Sequence, residues 1–229
     1  MANRKIMQRV LLLCALLLSS TFLLMAQNDF ANTGRYQAAN TALTGSPEGR
    51  VVLLGNSITD AWAKRDSTFF AQNNFVGRGI SGQTSPQLLV RFRQDVVALQ
   101  PGTVVIHIGT NDIAENTGPY DQAFTVGNIT SMIDIAEQNG IKVVLASVRP
   151  ATHFNWRKEL GDRSAMILEL NEALKQLASQ REIAYLDYHT AMKNERNGMD
   201  EELAKDGVHP TMEGYAIMGK LLVEVLGKK

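Results

Sequence analysis

The sequence predicts a three-layer α/β/α domain with about five parallel strands, and three observations carry that prediction. Short runs of aliphatic and β-branched residues recur along the chain, longer stretches with helical spacing separate them, and no internal repeat or Pro- or Ser-rich linker divides the whole. The apolar runs are continuous rather than alternating, as expected of strands buried on both faces. Strand–helix alternation within one domain then gives a parallel sheet covered by helices on both sides.

Residues 1–26 stand outside that domain. Arg4, Lys5 and Arg9 form a positively charged start, and residues 10–25 are nearly all apolar up to Ala26. Ser19, Ser20 and Thr21 interrupt the run, which falls short of the roughly 20 apolar residues a spanning helix wants. The segment reads as a cleaved signal peptide that exports the chain to a bacterial periplasm or the exterior, with no stable membrane insertion after cleavage. An uncleaved N-terminal anchor is the alternative. Cys14, the only cysteine, lies in this segment behind Leu13, where a lipoprotein signal needs a small residue. The rest of the chain therefore has no disulfide and no thiolate to act as nucleophile or metal ligand. The whole chain is formally neutral, and loss of the three basic residues leaves it slightly acidic, so nothing attracts nucleic acid or an anionic membrane. With 20% charged and 45% hydrophobic residues, it is neither a disordered polymer nor a polytopic membrane protein.

Residues 27–50 are polar and small, closing on Gly45, Pro47 and Gly49. They predict an N-terminal extension packing on the domain, with a short helix over 36–43. The domain proper occupies 51–229. Strands are expected at 51–54, 103–108, 142–147 and 183–186, with a weaker one at 75–76. Helices are expected at 60–73, 85–99, 120–139, 161–181 and 211–226. Leu88, Phe92 and Val96 recur at four-residue intervals, Leu170, Leu174 and Leu177 form a similar stripe, and Gly140 stops the third helix.

In such a sheet, ligands bind beyond the carboxyl ends of the strands, where helix N-termini point amide donors outward. Four segments belong there. In Gly55-Asn56-Ser57-Ile58, Ser57 sits at a strand–helix junction and either projects its hydroxyl outward or caps the helix. In Gly79-Ile80-Ser81-Gly82-Gln83-Thr84, the bare amide of Gly82 can approach a substrate oxygen, or the segment is simply a tight turn. In Gly109-Thr110-Asn111-Asp112, Asn111 can aim its amide at an oxyanion, or Asn111 or Asp112 caps a helix. In Asp206-Gly207-Val208-His209-Pro210, the carboxylate can reach back to the His209 Nδ1–H, fixing the tautomer and leaving Nε2 to accept a proton. Each segment alone is ambiguous. Together they fill nucleophile, base, orienting acid and oxyanion donors with no role missing or duplicated.

Other candidates fit less well. His107 lies inside a strand and reads as a core residue. His189 with Asp187 is a rival base and partner, but a separation of two leaves little room for the turn. His153 belongs to the loop 149–157, whose aromatics and arginines either line a pocket or form a packed lid. Asp112 and Glu115 lack the histidine spacing of a metal site, so no metal is expected.

In order and over positions 55–210, the four segments resemble the four blocks of the SGNH (GDSL-type) hydrolases. The resemblance implies a flavodoxin-like α/β/α sheet and hydrolysis of carboxylic esters with no metal or other cofactor. It implies Ser57 as nucleophile, Ser57, Gly82 and Asn111 as oxyanion donors, and Asp206 and His209 as the pair completing the triad. Asn56 departs from the family's usual acidic residue before the serine, so local hydrogen bonding is expected to differ. The expected substrate is a small-molecule or carbohydrate acyl ester, with O-acetyl groups on carbohydrate favoured. Lysophospholipid or thioester cleavage, acyl transfer to a sugar, and carbohydrate binding without catalysis are the alternatives.

Overall fold

The computed structural model describes residues 29–228, so the signal-peptide reading lies outside the described residues. Five strands form one parallel sheet: β1 (Val51–Gly55), β2 (Phe75–Gly79), β3 (Thr103–His107), β4 (Lys142–Ala146) and β5 (Ala184–Leu186), in the order β2-β1-β3-β4-β5. The chain steps outward from β1 to β2 and then crosses back to β3. The switch point of the sheet therefore lies between β1 and β3, where ligand sites of this architecture form.

Nine α-helices accompany the strands among the described residues: α1 (Gln37–Thr41), α2 (Ser57–Arg65), α3 (Ser67–Gln72), α4 (Ser85–Asp95), α5 (Thr110–Ile113), α6 (Gln122–Gln138), α7 (Ser164–Gln180), α8 (Tyr188–Met192) and α9 (Met212–Val225). Successive strand side chains point to opposite faces. Val52, Leu54, Val104 and Ile106 pack with Leu88 and Phe92 of α4, Ile129 and Ile133 of α6, and Leu170 and Leu174 of α7. Val51, Leu53 and Val105 pack on the other face with Ile58 and Trp62 of α2, Phe70 of α3, and Tyr215, Met218 and Leu222 of α9. The helical stripes and the doubly buried strands foreseen in the sequence thus meet as three layers.

The differences lie at element ends and have local causes. The helix expected over 60–73 starts earlier, at Ser57, and breaks at Asp66, whose Oδ1 accepts the Phe69 N–H at 3.2 Å and opens a second helix. A side chain that takes a backbone donor in this way competes with helix continuation. The helix expected from 161 starts at Ser164, because Gly161 (φ +64°) turns the chain and Asp162 Oδ1 accepts the Ser164 N–H. Two single-turn helices, α5 and α8, are too short to leave a periodic pattern. Among the described residues no helix is long and apolar enough to cross a membrane.

The N-terminal extension is tied to α4. Gln87 Nε2 donates to the Phe30 carbonyl at 2.6 Å, and Asn40 Nδ2 donates to Asp95 Oδ1 at 2.9 Å.

Candidate active site

The end of β1 is built for close approach. A Cβ on Gly79, beside it in β2, would lie 2.2 Å from Asp60 N and 2.5 Å from Asn56 O, so only glycine lets β2 abut the start of α2. Asn56, buried, caps that helix: its Oδ1 accepts the Ile58 N–H at 3.1 Å. The capping role considered for Ser57 is therefore taken by its neighbour, and a neutral amide oxygen suffices for it. Ser57, at the first helical position, keeps its hydroxyl free.

That hydroxyl meets the C-terminal segment. Tyr215 Oη donates to the Ile58 carbonyl at 2.9 Å, joining α9 to α2 and holding the turn before α9 over Ser57. Ser57 Oγ lies 3.0 Å from His209 Nε2, and His209 Nδ1 lies 2.7 Å from Asp206 Oδ2. Asp206 Oδ1 accepts the backbone N–H groups of Val208 at 2.9 Å and His209 at 2.7 Å. Burial pushes the Asp206 carboxyl up, but the His209 ring and these two amides outweigh it and hold the group below its ordinary range. Asp206 stays ionised and fixes the ring so that Nε2 faces the serine.

The opposite wall comes from the loops after β2 and β3. Gly82 has φ +78°, a left-handed conformation that suits glycine. Its carbonyl accepts from Asn116 Nδ2 at 3.1 Å, and the Gln83 carbonyl accepts from Asn111 Nδ2 at 2.9 Å. The Asn111 amide is thereby oriented with one N–H committed and a second to spare. Ser57, Ser81, Gly82, Asn111, Asn116, Trp156 and His209 line an open cavity of about 230 Å³. Of the five residues singled out in the sequence, Ser57, Gly82, Asn111 and His209 line this cavity, and Asp206 stands behind His209, joined to its Nδ1.

Trp156 closes one side. Its Nε1 donates to Asn116 Oδ1 at 3.0 Å, its ring centre lies 6.0 Å from that of His209, and Phe154 is buried beneath it. Arg157 Nη1 donates to the carbonyls of Ala114 (3.0 Å) and Glu115 (2.6 Å), clamping the loop after β4 to the loop after β3. The loop holding His153 is thus both a packed lid and a pocket wall. Glu115 pairs with Arg163 at 3.3 Å, and among the described residues no three His, Cys, Asp or Glu side chains gather as a metal site would require.

Sequence reasoning missed a buried network behind the site. Arg91, fully buried in α4, donates from Nη2 to the Gly55 carbonyl (3.0 Å), from Nε to Gln83 Oε1 (2.7 Å) and from Nη1 to Asp95 Oδ2 (2.9 Å). Gln83 Nε2 in turn donates to the Ala31 carbonyl at 2.6 Å. One side chain joins the strand end before Ser57 to the loop of Gly82. The available signal was an oppositely charged i, i+4 pair on the apolar stripe of Leu88 and Phe92.

The remaining histidines take no part in this constellation. His189 is buried, and Asp187 Oδ1 accepts the Thr190 N–H at 2.9 Å, so the rival pair does not form. A carboxylate two residues before the ring caps the next helix instead. His107 is buried against Tyr188, and burial together with the Arg149 charge pushes its pKa down to about 3. The folded chain keeps His107 neutral while the unfolded chain protonates it below its ordinary value of 6.5. Stability is therefore full above that value and falls as pH drops toward 3. His107→Gln should flatten the slope of unfolding free energy by up to about 1.4 kcal/mol per pH unit in that window, read by urea titrations between pH 4 and 7. An identical slope in both proteins would contradict this.

Comparison with known proteins agrees with the architecture. The sequence profile of the GDSL-like Lipase/Acylhydrolase family matches residues 53–217. A crystal structure of a GDSL-like lipase from Bacteroides thetaiotaomicron superposes with a TM-score of 0.84 at 46% identity, covering 87% of this chain and 98% of that one. An acetylxylan esterase from Xylanibacter ruminicola is 24% identical over 77% of this chain, and a multidomain esterase from Ruminococcus flavefaciens 28% over 54%. This chain spans 43% and 15% of those two curated relatives. With the five-stranded sheet and the family profile running from β1 into α9, the chain belongs to the GDSL-like lipase/acylhydrolase family.

Proposed function

We propose that this chain is an exported serine esterase that removes short acyl groups, acetyl above all, from carbohydrate. The observation that carries the reading is the continuous relay Ser57 Oγ–His209 Nε2, His209 Nδ1–Asp206 Oδ2, at 3.0 and 2.7 Å. A serine hydroxyl is a weak nucleophile at neutral pH and needs such a base. His209 Nε2 takes the hydroxyl proton as Oγ bonds to the ester carbonyl carbon. The resulting oxyanion is held by the backbone N–H groups of Ser57 and Gly82 and by the spare Asn111 N–H. Ionised Asp206 stabilises the imidazolium. Collapse breaks the bond to the alcohol oxygen, which leaves with the proton from Nε2. Water then repeats the sequence on the acyl-serine, giving the acid and restoring the hydroxyl.

Two features support the substrate class. The cavity over Ser57, about 230 Å³, is lined by Ser81, Asn111, Asn116 and His209 with Trp156 as its one large apolar side chain, so it offers a long acyl chain little apolar surface and suits acetyl better. A relative over most of the chain is an acetylxylan esterase. Export rests on the charged start and apolar run of residues 1–26. A panel of p-nitrophenyl esters tests the acyl side: acetate should be the preferred ester, and preference for octanoate or longer would overturn the short-acyl reading. Release of acetate from acetylated xylan, set against release of fatty acid from a lysophospholipid, tests the alcohol side. Asn111→Ala should lower kcat by about 100- to 1,000-fold with little change in KM, because the oxyanion exists only past the ground state.

A further inference from the structure

We infer that the larger cavity beside Asp206, about 610 Å³, is a subsite for the sugar chain of the leaving group, one ring removed from the acylated sugar. This rests on the esterase reading above and extends it to the alcohol side. Position is the first argument. Ser57 Oγ and the Asp206 carboxylate are separated only by hydrogen bonds of 3.0 and 2.7 Å and the width of the His209 ring. The leaving oxygen departs beside His209 Nε2, so its own ring must sit near His209 and Trp156. The next ring in the chain then reaches Asp206. The Asp206 side chain is 41% exposed, and it opens into this cavity.

Neighbouring residues line the two cavities. Asn155 lines the larger and Trp156 the smaller, and Asn155 Nδ2 donates to the Asp206 carbonyl at 3.2 Å. Trp156, 41% exposed, presents an aromatic ring at the smaller cavity, beside His209. The chemistry of the larger cavity is the second argument. Arg196 and Lys205 line it together with Asp162, Glu201 and Asp206, and with the polar side chains of His153 and Asn155. Three carboxylates stand against two fixed cations, so neither a phosphate nor a polyanion is favoured. A fatty chain would find Met199 and Ala204 as the apolar side chains in a wall of mostly polar and charged ones. Ring hydroxyls, which both donate and accept, match a wall offering both. The volume lies within the range of about 300–1,000 Å³ usual for small-ligand sites.

The double variant Arg196→Ala/Glu201→Ala tests the subsite, since both side chains are exposed and their loss leaves the fold intact. Wild type and variant are compared on p-nitrophenyl acetate, which has no sugar, and on acetylated xylo-oligosaccharide. The ratio of the two kcat/KM values, oligosaccharide over nitrophenyl ester, should fall about tenfold in the variant, with the change in KM. A merely damaged enzyme would lose both activities together, and an unmoved ratio would overturn the subsite while leaving the esterase reading intact. A wild-type enzyme that cleaves the nitrophenyl ester but not the oligosaccharide would overturn the carbohydrate reading and the subsite together.

Discussion

Ser57→Ala should lower hydrolysis of p-nitrophenyl acetate by about a million-fold, leaving only what binding and the oxyanion donors supply. The size of the effect follows from the proposed covalent route: without Oγ no acyl-serine can form, and His209 Nε2 loses the group whose proton it removes. The fold should be unmoved. Asn56, not Ser57, caps α2, and the Ser57 hydroxyl meets only His209, so alanine at the first helical position costs little stability. A thermal melt alongside the assay therefore separates lost chemistry from lost structure. Labelling by a fluorophosphonate should disappear in the same variant, and a labelled Ser57→Ala protein or an unchanged rate would sink the assignment. Asp206→Asn should cost about ten-thousand-fold, because the amide would leave the ring in the wrong tautomer.

Arg91→Met should be the most destabilising single substitution among the residues around the site, at about 3–5 kcal/mol. Arg91 is fully buried, and its removal leaves the equally buried Asp95 with the Asn40 Nδ2 hydrogen bond and the more distant charge of Arg78 in place of its ion pair. It also strips a donor from the Gly55 carbonyl and another from Gln83 Oε1. An unpaired buried carboxylate is costly, whereas removing both charges together is often nearly neutral. Arg91→Met/Asp95→Leu should accordingly recover most of the loss. For a chain of this size the single variant should melt about 10 °C lower. A loss under about 1 kcal/mol in urea unfolding would mean that the pair contributes nothing beyond its own desolvation.

Val51–Gly55 and Thr103–His107 were legible because strands buried on both faces need unbroken apolar residues, and α4 and α7 because Leu88, Phe92, Leu170 and Leu174 mark a 3.6-residue period. The break at Asp66 and the starts of α2 and α7 were not legible: each turns on one side chain choosing a particular backbone amide. Asp187 illustrates the same ambiguity, since a carboxylate near a histidine can orient the ring or cap a helix, and here it caps. The role of Arg91 was not legible, because a charge beside an apolar stripe gains meaning only from its partners, Gly55, Gln83 and Asp95, two of which lie outside its own helix.

Local order in the chain already contained the layered sheet and the four segments at its carboxyl edge, because burial periodicity and turn chemistry act between neighbouring residues. Folding in three dimensions was needed to bring Ser57 within 3.0 Å of a ring 152 positions away, to make one cavity small and the other large, and to give Arg91 its partners. Those outcomes depend on contacts between distant segments, whose geometry is set by the packed core as a whole.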